Sequence, residues 1–181
     1  GGQKSRREQV EETLKDLEGK QQNRKLTLQQ KIHQAGLTWS KRQYFLISAG
    51  MGLFAFCMIF FMGFGMLAAL GFGFAAGFGM PYWLLGYLKK RRERRFLNVF
   101  PDAVDVIVRG IKAGLPLLDS LKMIALEGQE PVKSEFKAIL ETQAIGMPLG
   151  DACQRLYQSM PLPEANFFGI VIAIQTKAGG N

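Results

Sequence analysis

This 181-residue chain predicts an all-α protein: a transmembrane helical hairpin followed by a cytoplasmic helical bundle. Three observations carry that prediction. Residues 44–88 contain no charged side chain, although the chain as a whole is 21% charged. Cations fence that stretch on both sides. Beyond it, apolar residues recur at helical spacing between Gly and Pro, and no segment alternates with the period of two that a half-buried strand requires. The net charge of +8 is unevenly spread. Residues 1–43 hold 10 basic and 5 acidic side chains, and KKRRERR at 89–95 holds six and one. Residues 96–181 hold 7 and 9. At random, a run that long without charge would arise about two or three times in 100,000. A single soluble domain is excluded, and the abundance of Leu, Ile, Val and Phe excludes a disordered tail.

The hairpin comes first in the argument. A hydrocarbon core of about 30 Å takes roughly 20 helical residues, so 40–88 holds two spans, at about 44–63 and 67–88, with a break around Gly63-Phe64-Gly65 to Gly71. Ser40 and Gln43 form a capping box at the start. Trp39 and Tyr44 at one border, with Tyr82, Trp83 and Tyr87 at the other, suit the membrane–water interface. Lys41 and Arg42 precede span one; Lys89, Lys90, Arg91, Arg92, Arg94 and Arg95 follow span two. Such charges cost roughly 2.5–3.5 kcal/mol each at a membrane centre, so both clusters are expected inside the cell, against anionic lipid headgroups. The soluble alternative, a hairpin buried in a large core, lacks enough remaining chain to cover it. A nucleic-acid role for the basic run is set aside, because no aromatic-interleaved groove accompanies it.

Small residues pattern span two. Ala69, Gly73 and Gly77 share one helix face, and Gly71, Ala75 and Gly79 the adjacent one, a small-xxx-small arrangement that lets membrane helices approach closely. The partner is either span one or another subunit. Gly71-x-Gly73-x-x-Ala76 formally matches a dinucleotide fingerprint, but it lies inside an apolar span without the strand that motif needs.

The flanking regions read as follows. Residues 1–39 form a basic cytoplasmic amphipathic segment, with Val10, Leu14 and Leu17 as one short stripe and a second turn from Leu28 to Ala35 ending at Gly36. His33, the single histidine, suits a polar face near headgroups. Residues 89–100 are a basic juxtamembrane linker. The bundle occupies 101–181, its first helix opening at Pro101 with Val104, Ile107, Val108 and Ile111 inward. Further helices open near Pro116, Pro131, Pro148 and Pro163, with inward residues that include Leu121, Phe136, Leu156 and, in the last, Phe167, Val171 and Ile174. Gly114-Leu115-Pro116-Leu117-Leu118-Asp119-Ser120 is echoed by Gly146-Met147-Pro148-Leu149-Gly150-Asp151-Ala152, which suggests a repeated helix-pair unit. The repeated Asp119 and Asp151, with Arg155 nearby, are the candidate partner-binding residues; otherwise the aspartates simply offset helix dipoles.

Catalytic signatures are missing from the sequence. No P-loop, H-E-x-x-H or paired-cysteine pattern occurs, and Cys57 and Cys153 lie too far apart for a zinc motif. No ionisable residue lies within the spans, which argues against an ion pathway. The expectation is a protein that is not an enzyme, with no catalytic, metal or cofactor-binding residues and no cofactor.

From about Gln34 onward the chain resembles the platform proteins of the type II secretion F-domain family. The carrying residues are Ala35-Gly36-Leu37, the basic run Lys89 to Arg95, Phe100-Pro101-Asp102-Ala103-Val104-Asp105 and Lys112-Ala113-Gly114-Leu115-Pro116-Leu117. Ile145-Gly146-Met147-Pro148-Leu149, Leu162-Pro163, Phe167-Phe168 and Ile174-Gln175 before Gly179-Gly180-Asn181 complete them. The resemblance implies a multi-pass protein of the bacterial inner membrane with a six-helix cytoplasmic F domain, five helices of which this chain would hold. The Gly-Gly start and the ending at Asn181 read as an incomplete chain. The implied partners are a hexameric secretion ATPase, a paralogous platform subunit or a second copy, and pilin subunits; the implied activity is pilin extraction and pilus assembly. The competing reading is a membrane-tethered adaptor or signalling module that transmits no force.

Overall fold

The computed structural model describes residues 27–178, and every regular element among them is helical. In chain order these are α1 (Leu28–Gln34), α2 (Lys41–Phe61), α3 (Met66–Lys112), α4 (Leu117–Glu127), α5 (Val132–Ala144), α6 (Leu149–Gln154), α7 (Leu156–Ser159) and α8 (Pro163–Ala178). The stripe at Val10, Leu14 and Leu17 and the glycines at 179 and 180 lie outside the described residues.

Both early helices start with reciprocal caps. At α2, Ser40 N donates to Gln43 Oε1 at 3.0 Å and Gln43 N donates to Ser40 Oγ at 3.3 Å. Thr27 and Gln30 make the same box at α1, and Gly36 ends that turn with φ +78°. The reversal between α2 and α3 uses Gly63 and Gly65, at φ +84° and +86°, a region that costs glycine nothing.

The second span and the first bundle helix are not separate. α3 runs 47 residues, through Pro81, the basic run and Pro101, about 70 Å at helical rise. The expected linker at 89–100 is therefore helix, and Pro101 lies inside a helix instead of opening one. Lys, Arg and Glu are good helix formers, Lys89 pairs with Glu93 one turn on at 3.7 Å, and the exposed ring of Pro101 removes a single backbone donor.

α2 and α3 are long and apolar enough to cross a membrane, and protein covers only 6% and 17% of their apolar windows. Core helices of a soluble protein would be mostly covered. Ala69, Gly73 and Gly77 are buried against α2. The Ser48 hydroxyl donates to the Gly77 carbonyl, and a Cβ on Gly73 would sit 3.0 Å from Phe56 Cβ and 3.1 Å from the Gly52 carbonyl. Gly71, Ala75 and Gly79 are exposed, with nothing beside Gly71 or Gly79.

The bundle core forms around the second half of α3. Phe96 stacks on Phe100 at 4.8 Å, and Phe168 meets both Phe100 and Phe136 at 5.6 Å. Leu121, Val132, Ile139, Leu156 and Met160 fill the remainder. The inward stripe of α3 is Ala103, Ile107 and Gly110, whereas Val108 and Ile111 are exposed. The last helix is turned by about one position from expectation. Ala165, Phe168, Ile172 and Ala173 face inward, and Phe167, Val171 and Ile174 are exposed. Close approach decides this: a Cβ on Gly150 would lie 2.7 Å from Ala173 Cα, and one on Gly169 2.9 Å from Gln154 Cα. The small-residue face seats α8 on α6, and the bulky face is left outside.

Candidate functional site

The informative site is the junction where the hairpin meets the bundle. Five residues past Tyr87, which stacks exposed on Trp83 at 5.7 Å, α3 turns Arg92 toward the protein. Its Nη2 bonds Glu135 Oε1 of α5, and its Nη1 donates to the His33 carbonyl of α1 at 3.2 Å. Glu135 Oε2 accepts from the Ser159 hydroxyl of α7. Gln34 Nε2 donates to the Gln158 carbonyl at 3.0 Å. One charged node thus ties α1, α3 and two bundle helices, α5 and α7. The pair is well shielded, with side-chain exposures of 17% and 6%, so its hydrogen bonds gain strength from the low dielectric, and loss of either partner strands a charge.

Arg92, read from sequence as a topology and headgroup residue, is therefore an internal ion-pair member. Glu135 and Ser159 went unread. Their signal was present: Glu135 sits between Val132 and Ile139 on the apolar stripe of α5, where a lone carboxylate needs a buried partner. Trp39 is also drawn inward, packing half-buried with Tyr44 on the Ile32, Ala35 and Leu85 cluster.

Lys41, Arg42, Lys90, Arg91, Arg94, Arg95, Tyr82 and Trp83 are exposed, and Lys89 is half-buried. Lys31 Nζ lies 4.9 Å over the Tyr82 ring. Arg91, Arg92 and Arg95 line a cavity of about 300 Å³ with Gly36, Glu130 and Ser134. A second cavity of about 410 Å³ places Arg155 and His33 beside Glu135 and Ser159.

The structure does not gather the three candidate partner residues. Asp119 lies in the first turn of α4 and pairs with Lys122 at 3.0 Å. Asp151 is exposed in the first turn of α6, and no ion pair links it to Arg155 among the described residues. Cys153 is fully buried, and that burial pushes its thiol up to about 12, so it stays protonated at neutral pH.

Two helices long and apolar enough to cross a membrane, carrying a helical bundle on a shared helix, fit an α-helical membrane protein. Residues 103–181 match the family model described as Type II secretion system (T2SS), protein F. That match supports the F-domain family for the bundle, over the C-terminal part of the stretch in which the sequence resembles it. No curated protein and no solved structure matches the chain.

Proposed function

We propose that the chain is the inner-membrane platform protein of a Tad- or type IV-like pilus or a type II secretion machine, of the TadB kind. In this role it couples a cytoplasmic secretion ATPase to pilin extraction and pilus assembly, and performs no catalysis itself. The observation that carries the reading is α3. One uninterrupted helix serves both the hairpin and the bundle, so movement delivered to the bundle reaches the bilayer without a flexible joint. Both basic clusters lie in the cytoplasm and the Gly63–Gly65 turn outside. Partners are the hexameric ATPase, a paralogous platform subunit or a second copy, and pilin.

The test is affinity purification of the protein from membranes, with identification of what accompanies it. A co-purifying secretion ATPase is expected, and cells lacking the protein should lose pili while pilin levels stay normal. Altered gene expression with pili intact would favour the adaptor reading. Reversing charge at Asp119 and Asp151 together should weaken ATPase capture; unchanged capture by a folded protein would clear those two residues of a contact role.

A further inference from the structure

The cavity of about 300 Å³ beside the basic exit of α3 has a composition the coupling role does not account for. Arg91 and Arg95 stand one turn apart and both line it, and neither has a carboxylate partner among the described residues. Arg92 also lines it but spends its charge on Glu135. Glu130 faces the same space; its Oε2 accepts from the backbone N–H and the hydroxyl of Ser134, and its Oε1 has no donor among the described residues. Among the described residues, two guanidiniums without a carboxylate partner against one carboxylate leave a residual charge of about +1, which one phosphodiester neutralises. Depth selects the source of that phosphate. Arg91 lies four residues beyond the exposed Tyr87, about 6 Å along the helix, and the headgroup layer is about 5–8 Å thick on each side. The wall opposite the arginines comes from Ala35 and Gly36 at the end of α1 and from the loop before α5. A headgroup there touches the end of α1, α3 and the bundle together.

We infer that this cavity is a specific site for the headgroup of an anionic glycerophospholipid of the phosphatidylglycerol class. Arg91 and Arg95 hold the phosphate, and the glycerol hydroxyls donate to Glu130. A zwitterionic headgroup of zero net charge would leave the residual cation uncompensated. The inference rests on the hairpin crossing the bilayer.

The test uses the full chain in nanodiscs of phosphatidylcholine alone or doped with phosphatidylglycerol, reading lipid retained per protein by native mass spectrometry. The parent should retain phosphatidylglycerol preferentially, and Arg91→Gln/Arg95→Gln should lower that retention about a hundredfold, the loss expected for two charge-assisted hydrogen bonds to one phosphate. Lys90→Gln/Arg94→Gln removes equal charge outside the cavity and should lower it far less. Equal loss in both double variants would mean diffuse surface attraction and overturn the site. So would displacement of the lipid by inorganic phosphate, which would make free phosphate the ligand. Helical content by circular dichroism must stay at the parent's value in both variants. A protein that failed to enter nanodiscs at all would instead refute the membrane hairpin, a result distinct from loss of lipid selectivity.

Discussion

Arg92 and Glu135 show how one charged side chain on an apolar stripe changes a local reading. Removing one member leaves the other shielded and unpaired, so Arg92→Met alone should destabilise the folded chain by about 3 kcal/mol. The double variant Arg92→Met/Glu135→Leu should regain most of that loss, because an apolar pair of similar volume carries no desolvation cost. Denaturant unfolding in detergent measures both; losses that merely add would show that the two groups are not coupled. Cys153 makes a second residue-level prediction. Burial raises its folded value to about 12 from an ordinary value of 9.0, so above pH 9 the folded state keeps a proton that the unfolded state releases. Its contribution is complete below about pH 9 and is lost as pH rises toward 12. Cys153→Ala should flatten stability over that window, and an unchanged slope would show that other groups set it.

At the scale of elements, the two small-residue faces of α3 make opposite predictions. Gly73 and Gly77 touch α2 backbone: a Cβ on Gly77 would lie 3.3 Å from both Gly52 Cα and the Ser48 carbonyl. Gly73→Leu or Gly77→Leu must push the helices apart, at a cost of about 1–3 kcal/mol. Gly71→Leu and Gly79→Leu meet open space within the protein and should leave thermal unfolding in detergent nearly unchanged. If all four variants behaved alike, the hairpin contact would be misassigned. The tight crossing of α6 and α8 follows the same rule, because the helix pair settles where backbones can approach, even though that leaves Phe167 and Ile174 outside.

For the whole molecule, the hairpin sets what each compartment can touch. With Cys57 replaced by Ala, a membrane-impermeant thiol reagent applied to intact cells should label Phe64→Cys in the turn and spare Arg94→Cys on α3. The reverse pattern would invert the topology and remove the coupling proposal with it. The Phe96, Phe100, Phe136 and Phe168 cluster anchors α3 in the bundle, and the same helix continues without a break into the apolar span.

What was legible from the residues alone were features that depend on sequential neighbours. The uncharged run, the Ser40–Gln43 cap, the turn near Gly63 and the glycine stop at Gly36 are local, each set by hydrophobicity, hydrogen-bond reach or permitted backbone angles within a few positions. The same held for the family resemblance of the bundle, which rests on the order of Gly-Pro punctuation. Three features instead required the chain to be folded. They are the fusion of span two with the first bundle helix, the recruitment of Arg92 by Glu135, and the rotation of α8. The last two turn on groups far apart in sequence: Arg92 and Glu135 are 43 residues apart, and the Gly150–Ala173 approach joins two separate helices; the fusion is held by Phe96 and Phe100, which bury the basic stretch's far end in the bundle core. Periodicity shows that a face is apolar, but only packing against a partner shows which of two adjacent faces wins.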